Sequence, residues 1–147
     1  MKSTQGQLGR VFIIRLEDGD KMPDCIEQFA LENGLAAGHV ILLGGVDKGR
    51  IVVGPENSTA MPPEPVLLEL KEAHEIMGMG ILAPDEGGKP VLHMHASMGR
   101  GDKALTGCIR PGIFTWLVGE VIIYEITGTK ALRKMHQDSG FVLLEVD

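Results

Sequence analysis

The stretch Val91-Leu92-His93-Met94-His95-Ala96-Ser97-Met98-Gly99-Arg100-Gly101-Asp102-Lys103-Ala104-Leu105-Thr106-Gly107-Cys108-Ile109-Arg110 decides the fold class. Residues 91–97 and 104–110 have the composition of strands, and the glycine-rich link between them is too short for a helical crossover. The two segments therefore pair as an antiparallel hairpin. With the turn centred between Arg100 and Gly101, Met98 faces Lys103 and His93 faces Cys108. Residues two apart on a strand share a face, and directly opposed residues share it too. One face of the hairpin then carries His93, His95 and Cys108, with Thr106 beside them. The inference depends on register, because a one-residue slip moves every side chain to the other face.

Outward from the hairpin the pattern is repeated. Residues 8–16 form a strand that is apolar on both faces at its centre. Glu17-Asp18-Gly19-Asp20 is a turn, and Pro23 falls in the first turn of a helix predicted over 20–32, which Asn33-Gly34 ends. Residues 38–46 and 50–53 read as a second hairpin around Asp47-Lys48-Gly49. The Pro-rich stretch 54–65 is a loop, residues 66–70 and 74–82 are two strands or one bulged strand, and 84–90 is another loop. Residues 113–126, 129–136 and 141–146 supply the remaining strands. Short links throughout favour antiparallel pairing. The expected class is α+β, with about seven strands and one main helix.

A chain of 147 residues suits one domain, expected to run over 1–147. Its 44% hydrophobic content is enough for a real core. Twenty glycines against 4% aromatics point to tight turns and short strands. They also argue against the aromatic platforms on which single-stranded nucleic acids stack. A net charge of −6 disfavours avid sequence-independent DNA binding, which depends on Lys and Arg neutralising phosphates. There is no long apolar run to cross a membrane and no apolar leader, and Cys25 and Cys108 make no disulfide framework. The expectation is a cytoplasmic chain with no membrane partner.

The chemistry centres on the hairpin. Two imidazoles and a thiol on one face suit Zn²⁺. His93, His95 and Cys108 are the expected ligands, with His74 or a water as the fourth, while His39 and His136 are weaker candidates. If the ion were catalytic, Glu75 or Glu120 would be the general base, but no complete catalytic constellation accompanies it. The run 44–50 is glycine-rich without being a dinucleotide or phosphate loop, and Arg100-Gly101-Asp102 reads as a turn, not an adhesion signal. Cys25 reads as a small hydrophobe packed in the helix. A DNA-binding surface would need a basic patch such as Lys130, Arg133 and Lys134.

Several ordered motifs carry a family resemblance. They are Gly9-Arg10-Val11-Phe12-Ile13-Ile14-Arg15-Leu16 with the turn Glu17-Asp18-Gly19-Asp20, then Ala37-Gly38 opening a strand that ends in Gly44-Gly45-Val46. His93-Met94-His95-Ala96 follows, and after the glycine turn comes Thr106-Gly107-Cys108-Ile109. Over nearly its whole length the chain resembles the PPC family, the plants-and-prokaryotes-conserved domain that accompanies AT-hook motifs in plants. The resemblance implies an α+β fold with a mainly antiparallel, partly barrel-like sheet, and a homotrimer. The family pattern places Gly-Gly-His-Leu where this chain has Thr106-Gly107-Cys108-Ile109, so Cys108 stands in for a third histidine. No Arg-Gly-Arg-Pro hook core is present. The expected function is that of a metal-binding, homo-oligomerising, regulatory module. The alternatives are a DNA-binding regulator and a small zinc-dependent enzyme.

Overall fold

The alternation in the quoted stretch becomes the organising fact of the fold. The structure is a computed structural model that describes residues 1–146; Asp147, included in the expected domain span, lies outside the described residues. The strands are β1 (Gln7–Glu17), β2 (Lys21–Met22), β3 (Gly38–Pro55), β4 (Pro65–Pro84), β5 (Pro90–Arg100), β6 (Lys103–Cys108), β7 (Ile113–Thr127), β8 (Leu132–His136) and β9 (Phe141–Glu145). The helix among the described residues is α1 (Asp24–Glu32). Seven strands form one antiparallel sheet in the order β1-β7-β3-β4-β5-β6, with β2 also on β7, while β8 and β9 form a separate two-stranded sheet. This is the expected α+β class.

Every second residue of the large sheet enters one core. Leu16 of β1, Val121 and Ile123 of β7, Val40 and Leu42 of β3, Leu82 of β4, and Leu92 and Met94 of β5 are all buried. Helix α1 covers this side with Ile26 and Ala30, and Phe29 meets Phe12 edge-on at 5.3 Å. The helix is also tied to the sheet by polar chemistry: the Glu27 carboxylate accepts the Leu92 N–H at 2.8 Å. Burying a large aliphatic side chain contributes roughly 1.5–3 kcal/mol, so this layer supplies most of the driving force.

The intervening residues face the other way and are not covered. Val11, Ile13, Leu43, Met77, Met79 and Ile81 are exposed on one continuous face that β1, β7, β3 and β4 share through their register.

The sheet curls back on itself. The first part of β3 pairs with β7, and further along the same edge Val52 pairs with Cys108 of β6. Strands β3, β4, β5 and β6 thereby close into a ring at one end, while β1 and β7 leave the sheet open at the other. Only glycine fits at the closure, since a Cβ on Gly107 would stand 2.5 Å from the Val52 carbonyl oxygen.

Three sequence expectations need correction. Residues 38–55 are one long strand, not a hairpin. The pairings of β3 with β4 and with β7 both shift between Val46 and Lys48: against β7 Asp47 is the extra residue of a bulge, against β4 the extra residue lies on β4, where Glu72 and Ala73 stand against Asp47, and Gly49 takes a φ of 117°. A bulge and a turn call for the same residue types. The helix begins at Asp24 and not at Asp20, because Lys21 and Met22 pair with Phe114 and Ile113 of β7. The β5–β6 register is also offset by two residues: Arg100 faces Lys103 and His95, not His93, faces Cys108. The offset is even, so side-chain faces are preserved. The segments 66–70 and 74–82 are one bulged strand, β4.

Candidate metal centre

His93 and His95 project from β5 on the side away from the core, and Cys108 at the end of β6 lies directly opposite His95. Their neighbours confirm the shared face: Thr106, opposite Ser97, donates to its hydroxyl at 3.1 Å. The ligating atoms of the two histidines and the thiol all lie within 4.8 Å of one another. The imidazole centroids are 4.9 Å apart with planes at 90°. A tetrahedral ion with bonds of roughly 2.0–2.3 Å needs donors about 3.3–3.7 Å apart. Rotation of the two exposed histidine rings toward Cys108, which is buried against β3, would supply that contraction.

The electrostatics favour neutral imidazole. Partial burial lowers the His93 pKa, and the positive charges of Arg133, His95 and Arg110 lower it further. Neutral imidazole is the form that ligates metal. The donor set, two nitrogens and one sulfur, fits a borderline-soft divalent ion such as zinc.

Two cavities flank the triplet. One, of about 420 Å³, is lined by His39, Met79, Ile81, His93, His95 and Arg133, among others. The other, of about 200 Å³, includes His95, Cys108, Arg110 and Phe141 in its wall. The β8–β9 hairpin walls both, with Arg133 and Leu144 on one side and Phe141 on the other. Neither wall contains an aspartate or glutamate.

The remaining sequence candidates are dispersed. His74 lies on β4 opposite Val46, and its Nδ1 is 2.8 Å from the Glu72 carbonyl oxygen. From the Met79 position, which faces His95, it is on the order of 15 Å further along the strand. His74 is thus not gathered with the other three. Glu75 pairs with Gly45 and Gly99, Glu120 with Arg15 and Leu43, and neither lines the cavities beside the histidines. His136 ends β8 opposite Phe141, with Nδ1 2.9 Å from the Ser139 hydroxyl. Arg100-Gly101-Asp102 is the β5–β6 turn region. Cys25 packs beside the core, and burial pushes its thiol pKa up to about 11.

Two residues stand nearer the cluster than the sequence reading, with His39 a weaker candidate and Arg133 part of a basic patch, places them. His39 reaches the larger cavity because β3 places it opposite Ile81, which in turn faces His93. Arg133, anticipated as part of a surface patch, is buried. No local pattern marks either residue, since both arrive through long-range pairing.

A curled antiparallel α+β sheet with a histidine-histidine-cysteine cluster on its uncovered face defines the class of protein. The model of the Plants and Prokaryotes Conserved (PCC) domain, the domain abbreviated PPC above, matches residues 3–127, and the chain belongs to that family. No curated relative matches the sequence. Among solved structures, a metal-containing protein of Archaeoglobus fulgidus is similar at 25% identity and TM-score 0.84, covering 99% of each chain. A PPC protein of Pyrococcus horikoshii is similar at 21% identity and TM-score 0.83, over 100% of this chain and 99% of that one. A Bacteroides thetaiotaomicron protein provisionally named DNA-binding is similar at 18% identity and TM-score 0.78, over 97% of each chain. The β8–β9 hairpin lies beyond the residues matched by the family model. No helix among the described residues is long and apolar enough to cross a membrane.

Proposed function

We propose that this protein is a metal-binding, self-associating regulatory module that holds one zinc ion through His93, His95 and Cys108. The observation that carries the reading is the convergence of three donor atoms from two strands within 4.8 Å, with no carboxylate on the adjoining walls. The name of the Archaeoglobus relative, a metal-containing protein, supports it. With His74 held elsewhere, the fourth position belongs to water or to a ligand atom. Three protein ligands and one exchangeable position make an open site, as opposed to a closed structural one.

The uncovered apolar face supports self-association, since monomeric proteins rarely expose a contiguous surface of this kind. The family resemblance supports three as the number of copies. The whole chain acts as one cytoplasmic domain, with the C-terminal hairpin docked as the wall of the site.

Protein purified without a metal-affinity tag, given one equivalent of zinc at neutral pH and dialysed, is expected to retain about one ion per chain. His93→Ala and His95→Ala are expected to retain none, and Cys108→Ser much less, because a neutral hydroxyl is a poor zinc ligand. Wild-type protein that emerges metal-free, or histidine variants that keep as much as wild type, would sink the reading.

DNA binding is the second reading, favoured by the name of the Bacteroides relative. It is opposed by the net charge of −6 and by the burial of Arg133, which removes the central member of the expected basic patch.

A further inference from the structure

Arg133 is the arginine that the fold buries, at 4% exposure. It donates to the Ile81 carbonyl at 2.9 Å, which ties β8 to β4, and its Nε–H meets no acceptor. No carboxylate pairs with it among the described residues. An arginine remains charged at neutral pH even when buried, and a cation withdrawn from water without a counter-ion is costly. A fold that only needed to anchor a hairpin could do so with a neutral donor.

Arg133 belongs to the wall that also holds His39, His93 and His95. On the far side of His95, Arg110 lines the second cavity beside Cys108, its guanidinium 5.1 Å from the centre of the Phe141 ring. A chain of net charge −6 has thus gathered two arginines and no carboxylate around one cluster. The rest of the larger wall is apolar, with Met79, Ile81 and Leu144.

We propose that Arg133 receives the carboxylate of a small organic acid bound in the cavity beside His93 and His95, with Arg110 adding to the attraction. The planar guanidinium matches a planar carboxylate, which accepts two parallel N–H bonds. The apolar wall suits a ligand with a short hydrocarbon body better than it suits a fully hydrated inorganic anion. Contact of the same ligand with a zinc ion rests on the metal reading above, whereas the contact with Arg133 does not.

The test uses the full chain, stripped of metal by a chelator and, separately, loaded with zinc. Each form is titrated with butyrate, with its neutral analogue butyramide and with inorganic phosphate. The readouts are calorimetry and the ¹⁵N–¹H signal of the Arg133 Nε, assigned by its disappearance in Arg133→Lys. Butyrate is expected to shift that signal in both forms, and butyramide to leave it in place. Arg133→Gln is expected to weaken butyrate at least tenfold while zinc content stays unchanged. If Arg133→Gln fails to fold, the wild-type Nε shift decides alone. An unmoved signal in both forms, undiminished butyrate binding by Arg133→Gln, or tighter binding of phosphate than of butyrate would overturn the proposal. Butyrate binding to a protein that retains no zinc supports it and removes the metal reading only.

Discussion

The Glu125 carboxylate collects three hydrogen bonds from one residue: the Arg10 backbone N–H and Nε–H at 2.8 Å each on one oxygen, and Nη2 at 2.7 Å on the other. The same arginine lies 5.1 Å from the centre of the Phe12 ring and donates to the Asn33 carbonyl, so it joins β1, β7 and the end of α1. The Arg10 side-chain hydrogen bonds, then its backbone N–H and its charge, hold the Glu125 pKa down at about 2 against an ordinary 4.5. A folded-state pKa below the unfolded one contributes stability above the unfolded value, and that stability is lost as pH falls through the folded one. The urea midpoint is therefore expected to fall as pH drops from about 4.5 toward about 2. Glu125→Gln, which cannot ionise, should flatten this limb; equal acid sensitivity in the variant would refute the assignment. Ile123, fully buried on the same strand, tests packing instead. Ile123→Ala is expected to cost about 2–5 kcal/mol by equilibrium unfolding.

Strand β6 is short; β5 pairs along all of it, and one tight contact joins it to β3. A methyl group on Gly107 would press into the Val52 carbonyl, so Gly107→Ala must lift β6 from β3 or strain both. The expected result is a loss of about 1–3 kcal/mol in stability. Because Cys108 is the next residue, zinc retention should fall as well; unchanged retention would mean that the ring closure does not position the thiol. The legibility of such elements in the sequence follows from parity. The β5–β6 turn sits one residue later than the glycines suggest, which offsets the register by two, and period-two side chains survive an even offset. The cluster could therefore be read from sequence although its opposed pair could not. The Asp47-Lys48-Gly49 bulge was opaque for a different reason, since nothing local tells a kinked strand from two strands joined by a turn. The short β2 was hidden because two residues carry no period. Arg133 was legible as a charge and illegible as a buried one, because its burial follows from the docking of β8 on β4 across 52 positions of sequence.

At the scale of the molecule, one face of the sheet is covered by α1, and the other is bare except where the β8–β9 hairpin docks beside β4 and β5. Light scattering at micromolar concentration is expected to give about three times the chain mass. Ile13→Lys, at a position 83% exposed on the β1 edge of that face, should reduce it to one copy without unfolding the chain. A wild-type monomer would refute the assembly. Duplex DNA is expected to show little or no binding at physiological salt, and a complex with steep salt dependence by fluorescence anisotropy would reverse that ranking. The strand order has a separate consequence for biogenesis. Strands β3 to β6 follow one another as a meander and can pair as they leave the ribosome, but β1 pairs only with β7. At ordinary rates of synthesis the two are separated by on the order of ten seconds. Throughout that interval β1 holds out Phe12, Ile13 and Ile14 with no partner strand, an apolar edge open to wrong pairing until β7 is made.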